Sequence, residues 1–207
     1  MSDAKPDSAH TGDLLERIRR GDGSAVGELF ERHRGELRRF VELHLDPRIR
    51  SRVDPSDVVQ ETQMELVRRL AEFLDRPPMP FRLWLRKKAY ERLLDLRRNH
   101  LTRERRSVRR EAGWPDESSL LLARPLLARG PSPSEEAQAH ELSARLSQAV
   151  LRLSDQDREV LLMRHADDLP FDEIAYLLDI EPAAARKRFG RALIRLQSVL
   201  TDEGLLE

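Results

Sequence analysis

The residues best suited to recognition chemistry lie near the C-terminus, in residues 169–195. An amphipathic stretch there ends at a short break, residues 179–181, and Pro182 follows at the favoured first position of a second helix. Two helices joined by a tight turn, the second of them basic, predict a DNA-binding helix-turn-helix, because such cations bind phosphates and base edges. The alternative is an ordinary helix pair with a solvated basic face. The cations are Arg186, Lys187, Arg188, Arg191 and Arg195.

Charge is sorted into blocks along the 207-residue chain, although its formal net charge is zero. Residues 82–110 hold 12 Lys and Arg against 3 Asp and Glu, and residues 182–197 hold 5 against none. The intervening residues 111–181 are acidic, with 6 basic against 15 acidic side chains. Clustered basic charge is typical of a protein that binds a polyanion, so the sequence indicates two separate nucleic-acid-binding surfaces.

Several classes of function find no support in the composition. The chain has no cysteine, and its six histidines are scattered without an HxxxH pair, which argues against disulfides and a zinc site. No glycine-rich phosphate loop or catalytic triad spacing is present, so we predict that the protein is not an enzyme and needs no metal or cofactor. No apolar run is long enough to span a membrane and no secretory signal is present, which predicts a soluble cytoplasmic protein without membrane insertion.

The periodicity of apolar residues predicts an all-α fold with two small helical domains joined by a flexible linker. In the first domain, residues 13–98, we expect four helices after a disordered stretch, residues 1–12. Asp54 and Pro55 predict the start of the third helix, with Asp54 as its capping residue. The Asp57 side chain is expected to accept a hydrogen bond from the backbone N–H of Asp54. A proline-rich loop at residues 75–80 separates it from a fourth helix that buries Trp84.

The second domain is expected at residues 134–207, after a Pro-, Gly- and Ser-rich linker over residues 99–133. The leucines at 120–122 and 126–127 leave two alternatives open, docking on a partner or a short helix. Ser154 is predicted to cap a helix over residues 155–165, with Asp157 in the reciprocal position. In the basic helix, an apolar stripe is expected to face the core, formed by Phe189, Ala192, Leu193 and Leu196.

Four motifs in a fixed order identify a resemblance that covers about residues 13–98 and 134–200. DVVQET at 57–62, FRLWL at 81–85 and LSDQDREV at 153–160 precede the helix-turn-helix. The chain resembles a bacterial RNA polymerase sigma factor of the sigma-70 family, extracytoplasmic-function (ECF) subfamily. The resemblance implies that residues 13–98 are sigma region 2, which binds core polymerase and the promoter −10 element. Residues 134–207 would be region 4, a −35-binding helix-turn-helix.

Site residues follow from this resemblance by position. The DVVQET helix would bind the polymerase through Asp57, Gln60, Glu61 and Glu65. The loop at residues 75–80 and the helix after it would capture −10 bases, although this loop departs from the Gly- and Ser-containing loops of the family. The implied −10 residues are Asp75, Arg76, Met79, Arg82, Arg86, Lys87, Tyr90, Arg97 and Arg98, with Tyr90 as a stacking ring. The implied −35 residues are Glu181, Ala183, Ala184, Arg186, Lys187, Arg188 and Arg191.

Two positions in the helix-turn-helix depart from the family. Asp179 stands where glycine is frequent, and aspartate tolerates the left-handed conformation that this turn needs. Ala184 stands where Thr or Ser is frequent, so methyl packing against thymine would replace a polar contact.

The sequence therefore predicts a promoter-specificity subunit whose partners are core RNA polymerase and promoter DNA, duplex at −35 and melted at −10. It leaves open whether an anti-sigma factor is a further partner. One alternative is a helix-turn-helix transcriptional regulator that acts without core polymerase, and another is a helical scaffold that binds no DNA.

Overall fold

The computed structural model describes residues 6–46, 48–104, 149–202 and 204. The chain divides into two compact units, one within residues 1–111 and the other within residues 112–207. The described residues form helices joined by turns, without a strand, which confirms the all-α prediction. In this part of the chain no helix is both long and apolar enough to cross a bilayer.

Four helices build the first unit, and α2 contacts the other three. Its core is formed by fully buried side chains that include Leu29, Phe40, Leu66 and Phe81. Burying such side chains removes apolar surface from water and supplies most of the stability of a helical unit of this size. The helices are α1 (Ala9–Arg19), α2 (Ser24–His44), α3 (Pro55–Asp75) and α4 (Phe81–Glu104).

The N-terminal stretch is more ordered than the sequence predicted. We expected disorder through residue 12, but α1 begins at Ala9, and the Ser8 hydroxyl accepts a hydrogen bond from the Thr11 N–H at 3.3 Å. Thr11 is fully buried, and its hydroxyl lies 3.1 Å from Nε2 of His33 on α2. This bond joins residues 22 positions apart, so the local composition carries no signal for it.

The third and fourth helices begin where the sequence predicted, but the fourth helix ends later than predicted. Asp54 caps α3 as predicted, since its Oδ1 accepts the Ser56 N–H at 2.7 Å, and Pro55 is the first helical residue. The fourth helix continues to Glu104, six residues beyond the predicted end at Arg98. The first six residues of the predicted linker are therefore helical. The rest of that linker and its leucines at 120–127 lie outside the described residues.

Three helices form the described core of the second unit, α5 (Asp155–His165), α6 (Phe171–Leu178) and α7 (Pro182–Asp202), and α7 contacts both others. The turn between α6 and α7 has the predicted geometry, with Asp179 left-handed at φ 55° and ψ 48°. The Ile180 N–H donates to the Ala175 carbonyl at 3.0 Å and closes the turn. One expectation for α7 was wrong: Leu193 is exposed, because the buried face follows Ala185, Ala192, Leu196 and Leu200.

Candidate nucleic-acid and protein interfaces

The exposed face of α7 gathers most of the residues that the sequence assigned to −35 DNA. Because Ala185 and Ala192 are fully buried, the opposite side of the helix points away from the core. Most of the seven predicted residues are exposed, while Arg188 is half-buried beside them. We call this surface the α7 face; its exposed members are Glu181, Ala183, Ala184, Arg186, Lys187 and Arg191.

Contacts from α6 orient Arg186 at the edge of the α7 face. Its guanidinium lies 5.8 Å from the centre of the Phe171 ring and 4.0 Å from Oδ1 of Asp172. The same Phe171 ring meets the Arg164 guanidinium at 5.5 Å and packs edge-on against Phe189, with ring centres 5.5 Å apart. Arg186 is therefore oriented by two side chains of α6, yet its own side chain stays mostly exposed.

Arg195 lies on the same helix but is engaged inside the unit. Its Nη1 donates to Oδ2 of Asp157 at 2.6 Å, and the Asp157 side chain is only 4% exposed. Ser154 caps α5 as predicted, accepting the Asp157 N–H at 3.2 Å, and its hydroxyl donates to Asp157 Oδ2 at 2.7 Å. The Asp157 carboxylate thus links the start of α5 to α7.

The short loop between α3 and α4, residues 76–80, rests on an aromatic cluster. The Phe73 and Trp84 rings stack with centres 4.6 Å apart, and Phe73 meets Phe81 edge-on at 5.6 Å. These rings come from the last turn of α3 and the first turn of α4, so they fix both ends of the loop. Trp84 is buried, as predicted.

The predicted −10 residues differ widely in their exposure. Asp75, Arg76 and Arg98 are exposed, and the Lys87 side chain is mostly covered, with its Nζ 4.0 Å from Oε1 of Glu91. The Arg86 guanidinium packs 5.8 Å above the Phe40 ring, which leaves that side chain only partly accessible. The half-buried members are Met79, Arg82, Arg86, Lys87 and Arg97.

Tyr90 corrects one sequence prediction. It was expected to supply a stacking ring, but only 5% of it is exposed, and it meets His44 of α2 edge-on with ring centres 6.2 Å apart. The buried face of α4 is wider than a narrow stripe, since Ala89 and Leu93 are buried on the same side. Tyr90 is therefore a core residue and offers no ring to a base.

The residues predicted to bind a protein partner share the outer side of α3. Asp57, Gln60 and Glu61 are exposed and Glu65 is half-buried, while Val58 and Leu66 opposite them are buried. Glu61 forms an ion pair with Arg92 of α4.

Two exposed apolar side chains on this side of α3 were not predicted from the sequence. Met64 is 50% and Val67 is 51% exposed. Met64 follows Gln60 by four residues and Glu61 by three, so helical spacing places it in the middle of the polar set. That spacing was the available signal, and we call Asp57, Gln60, Glu61, Met64, Glu65 and Val67 the α3 face.

Comparisons with known proteins show which proteins the chain resembles. Residues 143–196 match the protein family described as Sigma-70, region 4. The ECF RNA polymerase sigma-E factor of Haemophilus influenzae is 24% identical over 86% of this chain and 89% of its own length. The RNA polymerase sigma factor CnrH of Cupriavidus metallidurans is 28% identical over 87% of this chain and 88% of its own length. The chain is therefore similar to ECF sigma factors over most of its length, and residues 143–196 match region 4 of the sigma-70 family.

The fold has a counterpart among solved structures. The structure of CnrH in complex with the cytosolic domain of CnrY superposes with a TM-score of 0.57 at 24% identity, covering 91% of this chain and 96% of that one. Because the sequence matches extend over the first unit as well as the helix-turn-helix, a regulator that acts without polymerase is not favoured. As a sigma factor, the protein is a non-enzymatic initiation subunit whose partners are core RNA polymerase and promoter DNA.

Proposed function

We propose that this sigma factor binds core RNA polymerase through the α3 face and recognises promoters with two separate DNA surfaces. Residues 13–98 act as region 2 and residues 134–207 as region 4. The observation that carries the proposal is the exposed α7 face, in which Lys187 and Arg191 lie on the side of the helix opposite the buried Ala185 and Ala192. Polymerisation itself belongs to the core enzyme.

The α3 face suits a protein partner better than a nucleic acid. Its carboxylates, Asp57, Glu61 and Glu65, would repel phosphates, whereas Met64 and Val67 give it an apolar centre. Protein interfaces combine such an apolar centre with a polar rim, and methionine is enriched in them. The acidic rim favours a basic surface on the polymerase.

At the −10 element, the loop at residues 76–80 and the first turns of α4 receive the melted strand. We assign this role to Met79 in place of the buried Tyr90, because Met79 is a half-buried apolar side chain on the loop. Loop prolines restrict the unbound chain, so ordering the loop around an extruded base costs little entropy. Arg76, Arg82 and Arg98 neutralise the strand's phosphates.

At the −35 element, α7 enters the major groove with its N-terminal residues against the base edges. Ala183 and Ala184 are exposed methyl groups suited to contact thymine, while Glu181 can accept a hydrogen bond from cytosine. Arg186, already oriented by Phe171, and Lys187 reach bases or phosphates, and Arg188 and Arg191 bind the backbone.

Two further features follow from the same function. The protein acts in the cytoplasm, where the bacterial polymerase transcribes. An anti-sigma protein is a further class of partner, supported by the solved complex of CnrH with the cytosolic domain of CnrY. Such a partner would compete with core polymerase for the sigma factor.

Co-purification with bacterial core RNA polymerase tests this proposal. We expect the wild-type chain to bind core, and the double variant Gln60→Ala/Met64→Ala to lose about tenfold in affinity, because it removes central contacts of the α3 face. Glu31→Ala, an exposed carboxylate on α2, is the matched control and should bind as the wild type does.

The outcomes separate two levels of the proposal. If the wild-type chain does not bind core at all, the proposed function is wrong. If it binds core and the double variant binds equally well, the α3 face is not the polymerase interface, while the assignment as a promoter-recognition subunit stands.

A further inference from the structure

A carboxylate from the N-terminal segment, residues 6–8, caps α4. This helix follows the loop at residues 76–80, which we call the −10 loop. Oδ2 of Asp7 accepts the Phe81 N–H at 2.6 Å, and its Oδ1 accepts the Arg82 N–H at 3.1 Å. The bonded residues are 74 and 75 positions apart in the chain. Both carboxylate oxygens are therefore used to satisfy the first two backbone donors of α4, which have no partner within the helix.

These two donors belong to the residues at which the −10 loop ends. The loop occupies residues 76–80, so Phe81 and Arg82 set the point and direction at which it rejoins the helix. The other end of the loop is contacted from α1, since Nη2 of Arg19 donates to the Leu74 carbonyl at 3.5 Å. The N-terminal part of the chain thus touches both ends of the loop.

Asp7 is itself held in place by its neighbours. The adjacent Ser8 hydroxyl lies 3.0 Å from the Thr11 hydroxyl, which in turn lies 3.1 Å from Nε2 of the buried His33. The His33 ring packs against Phe81 with ring centres 5.4 Å apart. The segment is therefore fixed to α2 and to the first residue of α4, and a capping residue held this way can position what it caps.

We propose that Asp7 is a positioning residue for promoter opening, holding the −10 loop and the first turn of α4 in the geometry that captures an extruded base. This inference rests on the proposed function, because it assumes that the loop receives the melted −10 strand. Asp7 acts through the backbone of Phe81 and Arg82 and does not itself contact DNA. The N-terminal segment is thereby part of the −10 recognition apparatus and more than an appendage to α1.

Promoter opening by the full-length chain bound to core polymerase tests this inference. The DNA is a promoter fragment mapped with the wild-type protein, with 2-aminopurine at the −10 position that flips out, so its fluorescence reports base capture. We expect Asp7→Ala to lower the captured fraction by about five- to tenfold, the effect of losing a helix cap. Affinity for core should be unchanged, since the α3 face is untouched.

Two comparison variants make the test specific. Asp7→Asn keeps one carbonyl oxygen and should retain part of the base capture, because asparagine is also a good capping residue. Asp13→Ala removes an exposed carboxylate of α1 and should behave as the wild type. If Asp7 acted only by repelling phosphates, both Asp7 variants would capture the base better than the wild type.

Each result either supports or overturns the proposed role of Asp7. Loss of base capture in Asp7→Ala at constant core affinity, with partial recovery in Asp7→Asn, supports the inference. Wild-type capture in Asp7→Ala, equal losses in both Asp7 variants, or a parallel loss of core affinity and capture would overturn it and leave the proposed function intact. Failure of the wild-type chain to bind core would instead overturn the proposed function.

Discussion

Arg191 and Arg195 lie one helical turn apart on α7 and differ in their surroundings. Arg191 is exposed, whereas the Arg195 guanidinium bonds to the buried carboxylate of Asp157 on α5. A run of basic residues in the sequence does not distinguish these roles, because the difference depends on a partner 38 positions away. The pair therefore offers a matched comparison of DNA binding and stability within one helix.

We expect Arg191→Ala to weaken binding to −35 duplex DNA several-fold and to lower the slope of log affinity against log salt by about one, the loss of one phosphate contact. Arg195→Ala should lower the unfolding free energy of the second unit by about 1 kcal/mol, because Asp157 loses its cation while the exposed arginine was partly screened by solvent. Fluorescence anisotropy at several salt concentrations and urea unfolding measure the two effects. Equal changes in salt slope would show that Arg195 also contacts DNA.

Between elements, α1 contacts α2 through the Thr11 hydroxyl, which lies 3.1 Å from Nε2 of the buried His33. Burial lowers the pKa of His33 below its ordinary value of 6.5, against the opposing charges of Glu36 and Asp7, which raise it, while Arg32 and Arg86 lower it further. The unfolded chain binds a proton at about pH 6.5, but the folded unit resists it until a lower pH. The contribution to stability is thus complete above pH 6.5 and is lost as the pH falls toward the folded pKa.

We expect the melting temperature of the first unit to fall more between pH 7.5 and 5.5 in the wild type than in His33→Gln. Tryptophan fluorescence in a Trp114→Phe background, which leaves Trp84 as the only tryptophan, follows this unit. His10→Gln, which removes an exposed histidine of α1, should keep the wild-type pH dependence. A wild-type pH dependence in His33→Gln would show that His33 is not the titrating group.

Elements with local signals were predicted well from the sequence. The bounds of α5 and the first residue of α7 follow from Ser154 and Pro182, which act on adjacent backbone. The left-handed Asp179 was likewise predicted from the tolerance of its short side chain. The burial of Tyr90 and the cap from Asp7 were not predictable, because each depends on a partner more than 20 positions away in the chain. The start of α1, by contrast, had a local signal in Ser8, which caps the helix through the Thr11 N–H.

At the scale of the whole molecule, the candidate surfaces are distributed over two compact units. The α3 face and the −10 loop belong to the first unit, and the α7 face belongs to the second. Two modest DNA-binding modules gain specificity only when their spacing is fixed, because the second contact then occurs at high effective concentration. Binding to core polymerase supplies that fixed spacing, which is why we expect weak promoter binding by the chain alone.

Transcription in vitro from a genomic fragment library, with start sites mapped, tests this two-surface function most directly. We predict that core polymerase with the wild-type chain initiates at discrete sites that share two sequence elements at a constant separation. Core alone should not initiate there, and Arg191→Ala should reduce initiation at those sites. Start sites that share only one element, or no new start sites when the chain binds core, would contradict the proposal.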